Sequence, residues 1–305
     1  MTPKVLLFAA SEKGYIALTR VLTGPYRSNV GCVITFEEVN VDKSWDIDIR
    51  ASCDSEKIPC FLWKNVKDNI AGIIKEYHIA GALALSWKYL LPLEINRYLE
   101  YPLIIFHDSL LPKYRGFAPT PTAIMCGETE VGVSAIFASE QVDQGDIVLQ
   151  THLRVAEDMY IADIIKAEAA IYGDILEAII EKMERGKLTG YPQIEEEASY
   201  SIWRNADDCH IDWKKSAKEI YNFIRAVGSP YPGAFCYVEQ KKIKISRAEV
   251  LPKEMFFPIR EPGKIWSIKS NQPEVVCGSG LLRILSAVDE LNQQFLFKKV
   301  RCRLE

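Results

Sequence analysis

The chain has 305 residues, 48% hydrophobic and 26% charged, with a formal net charge of −4. This balance excludes wholesale disorder and supplies enough apolar material for a core that needs neither a disulfide framework nor a metal. No apolar run approaches the ~18 residues of a membrane span, and residues 5–10 are too few for a signal-peptide core, so a cytoplasmic protein with no membrane partner is expected.

Residues 4–10 (KVLLFAA) read as a buried strand ending in the polar loop Ser11, Glu12, Lys13, Gly14, followed by a helix that carries Leu18, Val21 and Leu22. A second apolar run spans residues 30–36. After a helical stretch come a short strand at 59–62, a helix over 66–77 and a strand at 79–85. The end of a small helix at 95–99 precedes another apolar run at 103–106. Strands that are apolar throughout and alternate with helices predict a doubly wound, mostly parallel α/β sheet covered on both faces, with sites beyond the carboxyl ends of its strands. Residues 11–14, 86–88 and 107–109 then share one rim. The clearest helix spans 157–186, with Ile161, Ile164, Ile165, Ile175, Leu176, Ile179 and Met183 on one face and Gly186 as its stop. Residues 187–208, with Gly190, Pro192 and the acidic run Glu195, Glu196, Glu197, read as an interdomain connection. Beyond them come a short helix at 216–227, a turn at 228–233 and β-like runs at 234–238, 242–245, 264–268, 274–276 and 281–285. This pattern predicts a small β-barrel.

Residues 201–305 carry 18 Lys and Arg against 12 Asp and Glu, which leaves 19 basic and 29 acidic residues in the first 200. An acidic body with a mildly basic tail points towards a phosphate-bearing partner, although ordinary charge scatter is the blander explanation. The eight cysteines stand singly with no CxxC pair, so no metal site is expected. No GxGxxG, P-loop or GxSxG segment is present, and dinucleotide oxidoreductases, nucleoside triphosphatases and α/β-hydrolases lose support.

Of the four histidines, only His107 ends an apolar strand and runs at once into Asp108, Ser109, Leu110, Leu111, Pro112, Lys113, Tyr114, Arg115 and Gly116. An imidazole at a sheet rim is well placed for proton transfer, yet a core-edge histidine has the same look. Further on, Asp143, Gln144, Gly145, Asp146 and Ile147 make an acidic turn in which a carboxylate can orient a histidine, or simply a turn between strands.

Taken together, the stretch from His107 to Gly116 and the Asp143-Gln144-Gly145-Asp146-Ile147 turn closely resemble the 10-formyltetrahydrofolate-dependent formyltransferase family. The likeness continues through residues 127–133, the long helix, Ile211-Asp212-Trp213 and Pro230-Tyr231-Pro232-Gly233-Ala234, and is weakest over 40–75. It implies a Rossmann-like catalytic domain over residues 1–188, a connector at 189–205 and an OB-like β-barrel domain over 206–305. It also implies 10-formyltetrahydrofolate as co-substrate, with His107 and Asp143 catalytic. Ser86, Trp87, Lys88, Leu90, Gln141, Val142 and Asp146 would then line the folate site. Ser11, Ser109, Arg115, Gly116 and Arg204 would meet the acceptor, Arg115 or Arg204 through phosphate. Trp203 beside Arg204 reads either as a stacking residue or as a packed connector.

One position departs from the family. The asparagine that usually stands two residues before the histidine, where it donates to the formyl oxygen, is Ile105 here. Losing such a donor costs about 2.7–4 kcal/mol of transition-state stabilisation. The acceptor implied is a nucleotide-linked amino sugar, because the region where the tRNA-formylating members carry a basic insertion is acidic here, with Glu37, Glu38, Asp42, Asp46 and Asp48 against Lys43 and Arg50. Alternatives kept open are a methionyl-tRNA enzyme and a folate- or nucleotide-binding protein weakened by Ile105. A homodimer is left open.

Overall fold

The computed structural model describes residues 2–39, 43–252 and 255–305. The chain divides into two compact units. One comprises residues 1–119, 130–154 and 164–201, and the other residues 120–129, 155–163 and 202–305.

The first unit opens with β1 (Lys4–Ala9), α1 (Ser11–Thr23), β2 (Val30–Thr35), α2 (Asp46–Ser55), β3 (Cys60–Leu62), α3 (Trp63–Val66), α4 (Ile70–Glu76) and β4 (Ile79–Leu85). Then come β5 (Tyr101–His107), β6 (Arg115–Gly116), α5 (Pro119–Met125), β7 (Glu130–Phe137), β8 (Ile147–Arg154), α6 (Ile161–Glu184) and β9 (Tyr200–Ser201). Of these, α5 belongs from residue 120 onward to the second unit, and α6 begins in the second unit and passes into the first after residue 163. The seven-stranded sheet has the order β3-β2-β1-β4-β5-β7-β8. Its β3-β2, β2-β1, β1-β4 and β4-β5 pairs are parallel, whereas β7 runs antiparallel to both β5 and β8. Strand β1 shows why the sequence reads as unbroken apolar. Val5, Leu7 and Ala9 join the core with α1, α2 and α6, while Leu6 and Phe8 join the core with α4.

Two expectations change in detail. Residues 11–14 form no loop, because α1 starts at Ser11 directly after β1. The helix expected over 66–77 is two pieces, α3 and α4, which part before Ile70. The chain reverses from β1 to β4 across the middle of the sheet order, which leaves Ala9, Leu85 and His107 as neighbouring strand ends.

The second unit holds α7 (Ala217–Ala226), entered through a capping box between Ser216 and Glu219. It also holds β10 (Phe235–Val238), β11 (Lys241–Val250), β12 (Ile265–Lys269), β13 (Gln272–Val276) and β14 (Leu281–Val288). These strands form an antiparallel sheet in the order β10-β11-β14-β13-β12. Its two edges are joined by the last residues, since Leu304 bridges Val238 at the end of β10 and Arg303 bridges Lys264 just before β12. The chain end thus spans the gap in an otherwise open sheet. Among the described residues no helix is long and apolar enough to cross a membrane.

Candidate active site

Strand β5 alternates, so Leu103, Ile105 and His107 share one face while Ile104 and Phe106 enter the core on the other. His107 is 7% exposed. Its Nε2 lies 2.8 Å from the Tyr114 carbonyl, which can only accept, so Nε2 carries a hydrogen. Nδ1 faces Oδ2 of Asp143 at 3.5 Å. The path of Asp143 to this position is indirect. Phe137, at the end of β7, pairs with Ile104, three residues before His107, and the turn 138–146 must fold back along the His107 face. Asp143 adopts φ 58, and its Oδ2 accepts the Gly116 N–H at 2.8 Å.

The rim at the ends of β1 and β4 is joined by a hydrogen bond of 2.7 Å from Ser11 Oγ to Ser86 Oγ. Next along the chain, the Trp87 ring packs edge-on against Phe8, Phe36 and Trp63, with centroids 5.2, 5.0 and 5.5 Å away. Its Nε1 is buried with no hydrogen-bond partner. The Lys88 ammonium lies 4.6 Å above the Phe36 ring, and Leu90 is 87% exposed. In the β7–β8 turn, the Gln141 carbonyl accepts from Ser139 Oγ, Val142 is exposed, and the Asp146 carbonyl accepts from the Phe137 N–H.

Among the residues expected to meet an acceptor, Ser109 is buried and donates to the Lys113 carbonyl at 2.6 Å. Arg115 differs most from expectation. It is 1% exposed, with Nε and Nη2 donating to Gln193 Oε1 and Nη1 to both carboxylate oxygens of Glu195. Its charge is spent inside the protein, so a phosphate contact through Arg115 has no free donor edge in this arrangement. Arg204 belongs to the second unit, where Nη1 donates to Thr122 Oγ1 at 3.0 Å, and Trp203 is exposed.

Sequence reasoning missed a charged cluster behind His107. Lys13, in the first turn of α1, pairs with Asp108 and, at 3.0 Å, with Glu168 of α6. The Tyr172 hydroxyl donates to Asp108 Oδ1. Burial pushes the Asp108 carboxyl up, but the Lys13 ammonium and the hydrogen bonds to it outweigh that and hold it below the usual carboxylate range. Burial raises the Tyr172 phenol well above its ordinary value, and the Asp108 charge adds to the effect. The signal was there to read: Glu168 and Tyr172 interrupt the apolar face of α6 at a spacing of four. Ile105, half-buried, packs against Leu111, Ile136 and Ile147. Its methyl groups fill the space where a side-chain amide was expected.

The arrangement offers an imidazole at a strand end, a carboxylate beside it and, on the rim, the Trp87 Nε1–H with no partner. That is equipment for acyl transfer with proton movement. Two family models match this chain: formyl transferase over residues 59–172, and formyl transferase, C-terminal domain, over 204–294. The methionyl-tRNA formyltransferase of Caldanaerobacter subterraneus subsp. tengcongensis is 34% identical over 218 residues, 71% of this chain and 69% of that protein. WlaRD, a sugar 3N-formyl transferase solved in the presence of dTDP and 5-N-formyl-THF, superposes with a TM-score of 0.69 at 18% identity, covering 93% of this chain and 97% of its own. The N-formyltransferase from Helicobacter canadensis, in complex with folinic acid and dTDP-3-aminofucose, gives 0.69 at 16% identity over 96% of this chain and 100% of its own. At these identities the two structures speak for the fold.

Proposed function

We propose that this chain, which belongs to the formyl transferase family, moves a formyl group from 10-formyltetrahydrofolate to the primary amine of a nucleotide-linked amino sugar. The observation that carries the reaction is the His107–Asp143 pair, 3.5 Å apart at the carboxyl end of β5. In such a transfer the amine nitrogen attacks the formyl carbon, the carbonyl oxygen gains charge, and the folate nitrogen leaves with a proton. We assign His107 to steadying the oxygen and moving the proton, and Asp143 to holding the imidazole in place.

For the donor, the loop after β4 and the β7–β8 turn supply the residues: Ser86, Trp87, Lys88, Leu90, Gln141, Val142 and Asp146. The fit rests on the Trp87 Nε1–H, a buried donor with no partner in the protein, because such a group is costly unless a ligand acceptor uses it. We take residues 1–188 as the catalytic domain and 206–305 as its accessory.

The acceptor reading is supported by the region 37–50. Both described basic residues there are paired, Lys43 with Asp48 and Arg50 with Asp46, and Glu37 takes Lys64, so the segment keeps an acidic excess that includes Glu38 and offers no basic surface to a tRNA. Asp42 lies outside the described residues. Two full-length structural relatives, one a sugar 3N-formyl transferase and the other an N-formyltransferase in complex with dTDP-3-aminofucose, add support. A tRNA acceptor is the second reading, favoured by the 34% identity to a methionyl-tRNA enzyme.

The deciding experiment mixes the protein and 10-formyltetrahydrofolate with a panel of dTDP- and UDP-linked amino sugars, and separately with charged initiator tRNA. Formylated sugar is expected. Turnover of tRNA alone would replace the acceptor, and no turnover of any amine would sink the reaction. His107→Ala should lower kcat by about 100-fold or more.

A further inference from the structure

One side chain of the segment 189–205 reaches both Arg115 and the turn that carries Asp143. Between Tyr191 and Glu197, six of the seven residues are exposed, and only Gln193 turns inward. Its amide meets two partners on each side. Oε1 accepts from Nε and Nη2 of Arg115 at 3.1 and 2.9 Å. Nε2 donates to the carbonyls of Asp143 and Gly145, both at 2.8 Å. Arg115 is in turn fixed by Glu195 through Nη1, and by the Ser199 carbonyl through its backbone N–H. The next residue, Gly116, donates its N–H to the Asp143 carboxylate.

Asp143 is therefore held twice from the same direction, by its side chain through Gly116 and by its backbone through Gln193. It needs holding. A non-glycine residue at φ 58 costs about 1–2 kcal/mol and keeps that conformation only where its surroundings impose it. Without Gln193, the turn has lost two of the bonds that keep the carboxylate towards His107.

We propose that Gln193 is a positioning residue for the His107–Asp143 pair, acting through Arg115 and the main chain of the 143–145 turn. This rests on the reaction proposed above. A shift of about 1 Å in such a group costs up to 100-fold in rate with little change in binding. Glu195 and the buried Arg115 belong to the same device, which explains why a fully buried arginine follows a loop where a surface residue was expected.

Two variants separate positioning from folding. Gln193→Met removes all four bonds. Gln193→Glu keeps the acceptor side for Arg115, and with it the packing of the connector, but replaces the donors to Asp143 and Gly145 with a carboxylate that repels both carbonyls. Both are expected to lower kcat about 10- to 100-fold while KM for donor and acceptor stays within about 3-fold. In an Asp143→Asn background, Gln193→Met should cost nothing further, because the two act as one unit. Amide exchange at Gly116, whose hydrogen Asp143 accepts, should quicken about tenfold in both variants. Losses that add to that of Asp143→Asn, or an unchanged Gly116 exchange rate in a folded variant, overturn the proposal. Absence of turnover in the unaltered protein would instead sink the formyl-transfer reading, and Gly116 exchange would then decide the positioning alone.

Discussion

Tyr172 donates its hydroxyl hydrogen to Oδ1 of Asp108 at 2.5 Å, tying the long helix α6 to the residue that follows His107. The same carboxylate pairs with Lys13, which also holds Glu168, a side chain with no exposed surface. Two carboxylates around one ammonium is an arrangement that tolerates no loss of the cation. Lys13→Met should destabilise the protein by about 3 kcal/mol or more, since removing one partner leaves buried charge behind. Tyr172→Phe removes one hydrogen bond to a charged group and should cost about 1.5–3 kcal/mol. Urea unfolding of both variants checks the order. Equal small losses would mean that the cluster is far better hydrated than its burial implies.

A second carboxylate makes stability depend on acid. Glu274, 4% exposed, is held down to about 2, chiefly by Arg283, then by Ser267 and, more weakly, by Lys269. Its value in the folded protein lies below the unfolded one, so its contribution is complete above about pH 4.5 and fades as the pH falls towards 2. Each unit is worth about 1.36 kcal/mol, and with the exposed Lys269 end discounted the contribution is on the order of 2–3 kcal/mol. Urea midpoints between pH 5 and 2 should fall less steeply for Glu274→Gln than for the unaltered protein. Parallel curves would show that the Arg283 pair contributes nothing. Asp108 titrates in the same direction, so only the difference between the two proteins isolates Glu274.

The central parallel strands were legible because they are apolar on both faces, as β1 shows with Val5 and Leu7 towards one core and Leu6 and Phe8 towards the other, whereas β8 carries Gln150, Thr151, His152 and Arg154 and gives no such run. The His107 rim was legible too, since a histidine that ends such a strand has nowhere else to be. What the sequence could not show was direction. Arg115 beside a glycine has the look of an exposed anion contact, and only the fold reveals Gln193 and Glu195 closing over it from 78 and 80 residues away. Lys13 misleads in the same way: it reads as a loop residue, but α1 starts two residues earlier and aims it inward. Local patterns fix which face a residue shares with its neighbours. They carry no information on which distant segment will cover it.

Ile105 tests whether the usual amide donor has been replaced or simply lost. The side chain packs against Leu111, Ile136 and Ile147, so Asn at this position would trade apolar contact for a donor two residues before His107 and on the same face. Ile105→Asn is expected to raise kcat about tenfold or more, part of the 2.7–4 kcal/mol that such a donor supplies. Stability should fall by about 1–3 kcal/mol for burying the amide. Formylation kinetics and urea unfolding read the two effects separately. Unchanged or lower kcat in a folded variant would mean that another group already serves the formyl oxygen.

The turn that carries Asp143 can be disturbed without touching any side chain that does chemistry. A Cβ added to Gly145 would stand 1.7 Å from the Phe137 carbonyl oxygen, inside the pair of strands that the turn connects. Nothing there is a flexible side-chain end, so the backbone itself must move, and with it the Gly145 carbonyl that Gln193 holds. Gly186 is the contrasting case. It sits at φ 61 just past α6, where an added methyl group would meet only open space, so Ala there costs only the left-handed conformation, about 1–2 kcal/mol. Gly145→Ala should therefore lower both stability and kcat, whereas Gly186→Ala should lower stability alone. Measuring the two together separates a site effect from general weakening. If kcat falls equally in both, the loss reports stability and the turn has no special hold on the His107–Asp143 pair.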